Sequence, residues 1–169
     1  MLSAPEPLNP QHQTDEFDSG VPSLDTWLKR RAAMNQLGGA SRTFVVQEGV
    51  KVIAYYALAS SAIGVDASTG RFRRNMPDPV PVVVLARLAV ARTHHGRGLG
   101  RALFQDAARR VIQAADVIGI RGMIVHAISE DAKAFYLRLG LAPSPLDPMT
   151  LMVTLADLRA SLLSPPKGG

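Results

Sequence analysis

The 169-residue sequence predicts one α/β domain built on a mixed β-sheet. Two observations carry this. Short runs rich in Val, Ile, Tyr and Phe recur between turn residues, while other segments repeat their apolar residues with helical spacing. Their order, roughly α-β-β-β-α-β-α-β, alternates in the way that lays helices on the faces of a sheet. With 47% hydrophobic residues the chain buries a sizeable core, which excludes a wholly disordered polypeptide.

Each element has a local reason. Residues 1–13, with Pro5, Pro7 and Pro10, read as a flexible lead-in, and residues 164–169, with Pro165 and Pro166, as a flexible tail. The domain between them spans 14–163. Ser23 follows Pro22 and is placed to cap a helix through Trp27, Leu28, Ala32 and Leu37, stopped by Gly38-Gly39. Arg42–Gln47 is a short strand, Glu48-Gly49 a turn, and Lys51–Ser61 a second strand or a broken pair. From Gly64 to about Pro81 runs a connection rich in Arg, Asp and Pro, a length that is often functional. Val82–Val90 is nearly continuous in apolar residues and belongs at the centre of the sheet. Leu103, Ala107, Val111 and Ala114 share one face of a helix over Leu99–Ala115. Gly122–Ile128 is a further strand, Glu130–Leu139 a short helix ended by Gly140, and Thr150–Leu155 a closing strand. Asp157–Leu163 adds a helical turn.

Composition narrows the function classes. Nineteen Lys and Arg against 14 Asp and Glu give a formal charge of +5, which favours anionic partners. No cysteine is present, so a disulfide scaffold, a thiolate nucleophile and a Cys-ligated metal site are excluded, and no metal is called for. No apolar run approaches the roughly 20 residues that span a bilayer, and the first residues hold no signal-peptide core. These features suit a cytoplasmic protein that does not engage membranes.

The sharpest local signal is His95-Gly96-Arg97-Gly98-Leu99-Gly100, between the central strand and the best helix. A helix start leaves backbone N–H groups unpaired, and with the helix dipole these attract an anion. Glycines let the backbone wrap close to a phosphate, and Arg97 and Arg101 add charge. A Walker A loop ends in Gly-Lys-Ser/Thr, whereas this one ends Gly100-Arg101-Ala102. The dinucleotide fingerprint G-x-G-x-x-G also fails, because the glycines here are spaced G-x-G-x-G.

A third pattern fits. His95-x-x-Gly98-x-Gly100, preceded by Arg87-Leu88-Ala89-Val90, resembles the pyrophosphate loop Q/R-x-x-G-x-G/A of the GNAT acyltransferases. The departure is His95 in place of Gln or Arg. Other segments extend the likeness: Phe17 to Leu28, Ala40-Ser41-Arg42-Thr43-Phe44-Val45-Val46, Tyr55-Tyr56-Ala57-Leu58-Ala59, Asn75-Met76-Pro77-Asp78-Pro79, and Phe135-Tyr136-Leu137-Arg138-Leu139-Gly140-Leu141. Together, from about Phe17 to Leu155, they resemble the GNAT toxins of bacterial type II toxin–antitoxin modules.

That resemblance implies a GNAT fold for 14–163, with a mixed central sheet whose strands Val82–Val90 and Gly122–Ile128 splay apart between flanking helices. It implies a toxin that moves acetyl from acetyl-CoA to the α-amino group of an aminoacyl-tRNA and so blocks translation. It also implies a ribbon-helix-helix antitoxin, operator DNA bound only through the antitoxin complex, and a homodimer. By the same match, Leu88, Ala89 and Val90 hold the pantetheine arm, a backbone N–H near Leu88 stabilises the oxyanion, and His95, Gly96, Arg97, Gly98, Leu99, Gly100 and Arg101 take the pyrophosphate. Tyr136 matches the family's catalytic tyrosine, a phenol that donates its proton to the leaving thiolate. The missing cysteine leaves no acetyl-cysteine intermediate, so transfer is direct.

Ser129 either bonds acetyl-CoA or caps the helix after it. His126, alone on an apolar strand, reads as a satisfied core residue rather than a general base. An α-amino group with a pKa near 8 is already partly neutral, so a strong base is not required. Arg73, Arg74, Arg87, Arg92 and Arg42 are the candidate contacts to tRNA phosphates; without the resemblance, such charges read as a solvated face. Two other functions remain open at this point. One is acetylation of a small amine or a protein N-terminus. The other is a basic nucleic-acid-binding module with a vestigial CoA site.

Overall fold

The computed structural model describes residues 1–163, and the expected flexible tail lies outside the described residues. One seven-stranded sheet runs in the order β1-β2-β3-β4-β5-β7-β6. Its strands are β1 (Glu6–Pro7), β2 (Arg42–Glu48), β3 (Lys51–Ile63), β4 (Val80–Val90), β5 (Gly122–His126), β6 (Ala142–Pro143) and β7 (Thr150–Thr154). The helices are α1 (Pro22–Arg30), α2 (Ala32–Leu37), α3 (Gly70–Arg73), α4 (Leu99–Ala115), α5 (Glu130–Arg138) and α6 (Leu155–Leu163). β4 and β5 pair in parallel and the other registered neighbours pair antiparallel, so the sheet is mixed as expected. The parallel ladder joins Val82 to Gly122, Val83 to Met123 and Val84 to Ile124. Both strands continue past it.

The chain divides into two compact units, one of residues 1–59 with 85–107 and one of 60–84 with 108 onward. In the first, Tyr55 is fully buried and donates its hydroxyl to the Leu24 carbonyl at 2.6 Å. Trp27 stacks on the Tyr55 ring at 6.0 Å between centroids, and Phe17 meets it edge-on. Tyr56, one residue on, points to the opposite face of the strand and bonds Asp106 of α4.

The lead-in expectation is corrected here. Glu6 pairs with Val45 and Pro7 with Phe44, Leu2 bridges Glu48, and Gln13 bridges Lys51. Proline is tolerated because this is an edge strand, where a missing N–H costs no ladder bond. The expected Ser23 cap is also absent. The helix begins at Pro22, whose fixed φ suits the first turn, and the side chain that organises its entry is Asp25. Its Oδ1 accepts from the Ser19 backbone at 3.0 Å and the Ser19 hydroxyl at 2.6 Å. The one long helix expected from Ser23 to Leu37 is two, broken at Arg31.

In the second unit, Phe72, Val80, Val82, Ile124 and Met152 form an apolar cluster. Phe72 comes from α3, a single helical turn inside the stretch read as an irregular connection. Thr69 caps that turn by accepting from the Phe72 N–H at 3.2 Å. Arg121 holds it from below, donating to the Phe72 and Arg71 carbonyls at 2.8 and 2.6 Å. β5 stops at His126 rather than Ile128, and α6 begins at Leu155 rather than Asp157.

Candidate active site

The glycine-rich loop occupies the end of β4 and the start of α4, in the first unit. Gly96 and Gly98 have φ of +79° and +76°, a region that side chains with a Cβ rarely adopt. No other atom lies within 4 Å of where either Cβ would stand, so the glycines are required by backbone conformation and not by crowding. The first bond of α4 runs from the Ala102 N–H to the Gly98 carbonyl at 3.1 Å. The N–H groups of Leu99, Gly100 and Arg101 therefore stand outside the helical ladder, at the positive end of a 17-residue helix. Arg97 and Arg101 are exposed beside them. This donor set suits a pyrophosphate. Leu88 and Val90 are half-buried and Ala89 is buried, in the last turns of β4.

His95 replaces the expected Gln or Arg without leaving the loop untied. Its Nε2–H donates to the Val90 carbonyl at 2.7 Å, which pins the first residue of the loop to the last residue of β4. His94, its neighbour, is buried and bonds Thr93 through Nδ1 and Glu48 through Nε2.

In the second unit, α5 carries Tyr136. Ser129 is its N-cap, with Oγ accepting from the Ala132 N–H at 3.1 Å, so of its two expected roles the structure displays capping. Glu130 and Asp131 in the first turn complement the dipole. Tyr136 is buried, with the Phe135 ring edge-on at 5.0 Å. Burial disfavours the phenolate and pushes the hydroxyl well above the ordinary tyrosine range, so it remains a proton donor at any physiological pH.

The five candidate arginines differ in what they already hold. Arg87 lies over the Trp27 ring at 5.2 Å and donates to the Ala86 carbonyl. Arg92 pairs with Asp18 at 3.1 Å, and the Gly20 N–H also donates to that carboxylate; these contacts hold its pKa low. Arg42 is exposed at the start of β2, lining a groove of about 620 Å³ with Lys29 and Leu37. Arg73 and Arg74 are exposed at the end of α3 and form no ion pair among the described residues. Their neighbour Arg71 is held by Asp157 through two bonds of 2.7 and 2.8 Å.

His126 departs from expectation. It is exposed rather than buried in the core, because it is the last residue of β5, and its ring bonds Thr150 across the β5–β7 ladder. Its register could be read from the sequence only if the strand end were known. Among the described residues, no group of three or more His, Cys, Asp or Glu is arranged to hold a metal ion. No helix among them is long and apolar enough to cross a membrane.

A mixed sheet whose parallel ladder covers only part of β4 and β5, followed by a glycine loop at a helix start, has the architecture of an acyl-CoA-dependent acyltransferase. A family model described as an acetyltransferase (GNAT) domain matches residues 39–140, and the chain belongs to that family. It is an acetyltransferase with acetyl-CoA as co-substrate. The chain is 48% identical, over 94% of its own length and 95% of the relative's, to the tRNA-acetylating toxin of Mycobacterium tuberculosis. Among solved structures it resembles AtaT complexed with acetyl-methionyl-tRNAfMet (25% identity, TM-score 0.87, covering 95% and 98% of the two chains). It also resembles AtaTR bound with acetyl-CoA (26%, 0.81, 94% and 96%) and a KacTA–DNA complex (28%, 0.79, 95% and 97%).

Proposed function

We infer that this protein is a toxin acetyltransferase that moves acetyl from acetyl-CoA to the α-amino group of an aminoacyl-tRNA, halting translation until a cognate antitoxin neutralises it. The observation that carries the reading is the 48% identity, over nearly the whole of both chains, to a tRNA-acetylating toxin. The likeness to AtaT holding an acetylated aminoacyl-tRNA points the same way.

Acetyl-CoA supplies an activated acetyl thioester. In this reading the N–H groups of Leu99, Gly100 and Arg101, with the Arg97 and Arg101 side chains, hold its pyrophosphate, and Leu88, Ala89 and Val90 hold its pantetheine arm. The α-amino nitrogen attacks the thioester carbonyl, and a backbone N–H near Leu88 steadies the oxyanion. The C–S bond breaks as Tyr136 gives its phenolic proton to the departing sulfur. The absence of any cysteine that would carry an acetyl group favours direct transfer.

Arg73 and Arg74 are the favoured tRNA contacts because they form no ion pair among the described residues; Arg42, Arg87 and Arg92 are the further candidates. The likeness to a KacTA–DNA complex supports an assembly of this kind on DNA; a ribbon-helix-helix antitoxin, with operator DNA bound through its complex, is the partner the sequence resemblance implies. A cytoplasmic homodimer completes the reading.

The test is incubation with labelled acetyl-CoA and a panel of charged tRNAs. Label should appear on one or a few aminoacyl-tRNAs and on no uncharged tRNA. Label confined to small amines or protein N-termini would replace this acceptor, and no acetyl-CoA binding at all would leave only a nucleic-acid-binding module.

A further inference from the structure

We propose that His126 is the general base that takes the proton from the acceptor α-ammonium group, held in its basic tautomer by a relay through Thr150 to Asp147. The proposal rests on the aminoacyl-tRNA reading and gives that reaction a proton acceptor for the fraction of the amine still protonated near pH 7.

The tautomer follows from the hydrogen bonds. Thr150 has one hydroxyl proton, and it goes to Asp147 Oδ2 at 2.8 Å. The Thr150 oxygen is then an acceptor toward the His126 ring, 2.9 Å away, so Nδ1 of His126 carries the hydrogen. Nε2 is left with its lone pair. It has no bonded partner among the described residues, and the residue is exposed.

Asp147 is fixed for this role. Its Oδ1 accepts from the Met149 N–H at 2.9 Å, and its carboxyl is held below the usual range, first by that bond and then by the Thr150 hydroxyl, with His126 and Lys133 adding smaller effects. It is therefore a carboxylate at neutral pH, an acceptor that takes the Thr150 hydroxyl proton and leaves the Thr150 oxygen to the His126 ring. Beyond Asp147, the charged and titratable groups on α5, which follows His126 in the chain, are Glu130, Asp131, Lys133, Tyr136 and Arg138, and β7 carries none.

Position supports chemistry. His126 ends β5, two residues past the last registered row of the parallel β4–β5 ladder, and Ser129 opens the helix of Tyr136 three residues later. The base and the acid thus lie ten residues apart on one chain segment, His126 at the end of β5 and Tyr136 on α5. The step balances: His126 Nε2 takes a proton from the ammonium, the freed amine forms the N–C bond, the C–S bond breaks, and Tyr136 gives its proton to the sulfur. The second amine proton, lost as the amide forms, restores Tyr136. The imidazolium returns its proton to water.

The experiment measures acetylation of a responsive aminoacyl-tRNA by the full chain and by H126Q, T150V and D147N, from about pH 6.5 to 8.5. H126Q should lose roughly tenfold or more in kcat near pH 7. The deficit should shrink toward about pH 8.5, where an α-amino group with a pKa near 8 is neutral unaided. T150V and D147N, as positioning variants, should show the same pH-dependent deficit in smaller measure. Acetyl-CoA affinity should be unchanged in all three. H126Q with wild-type kcat at every pH overturns the proposal. So does a deficit equal at all pH values and matched by a lowered melting temperature, which marks a structural tie. A wild-type protein that fails to acetylate any aminoacyl-tRNA overturns the acceptor reading instead.

Discussion

The His95 ring donates to the Val90 carbonyl at 2.7 Å, so the first residue of the anion loop is anchored to the last residue of the strand before it. A Gln at this position would place an amide N–H in the same region. H95Q should therefore keep acetyl-CoA affinity within about twofold, whereas H95A should weaken it about fivefold, the worth of one ordinary hydrogen bond. Calorimetric titration with acetyl-CoA measures both. Equal losses in the two variants would mean that the anchor is not what the ring contributes.

Tyr136 is the proposed acid, and burial raises its pKa above the ordinary tyrosine value. Y136F should lower kcat at least a hundredfold and leave acetyl-CoA binding intact. Because the shift is upward, the protonated form persists as pH rises. The wild-type rate should then show no loss from tyrosine ionisation up to about pH 9, below even the unshifted value near 10. A basic limb that vanishes in Y136F would contradict the protonated phenol.

Arg73 and Arg74 are exposed and form no ion pair among the described residues, while Arg71 is bound to Asp157. R73A and R74A should each weaken tRNA binding and reduce the slope of log affinity against log salt by about one, the signature of one lost phosphate contact. R71A should leave that slope unchanged. Filter binding across a salt series distinguishes them.

Leu8 is buried, its N–H bonds the Thr43 carbonyl at 2.9 Å, and its own carbonyl accepts from Gln36 at 2.8 Å. L8A should cost about 2 kcal/mol in urea unfolding. A chain truncated before Leu8 should lose at least as much. An unchanged midpoint in both would return these residues to the status of a lead-in.

Gly122 of β5 pairs with Thr154 of β7. A Cβ there would lie 2.1 Å from the Val153 carbonyl oxygen and 2.9 Å from the Thr154 Cα, both backbone atoms that cannot swing aside. G122A should destabilise by about 3 kcal/mol or more. Wild-type stability in that variant would show that the two strands separate more readily than their pairing implies.

Much of this was readable without coordinates, and for a physical reason. Helical periodicity over Leu99–Ala115 gave that helix's limits as they stand in the structure, because its apolar face is continuous and its start is set by glycines. The loop 95–101 was legible because backbone conformation, dipole and charge are all local properties. Short or unpatterned elements were not. A two-residue edge strand at Glu6–Pro7 and a single turn at Gly70–Arg73 have no period to detect; pairing with Val45 and burial of Phe72 create them.

An α/β fold on a mixed sheet was determined by sequence alone. Hydrophobic period, turn chemistry and net charge are written residue by residue. What only the tertiary structure decided is how distant residues meet. His126, Thr150 and Asp147 are joined by strand register, Arg71 and Asp157 by the approach of two helices, and the commitment of each arginine by its neighbours. A side chain's chemistry is fixed by its type, but its tautomer, its freedom and its proton depend on partners that lie 3 to 86 residues away along the chain.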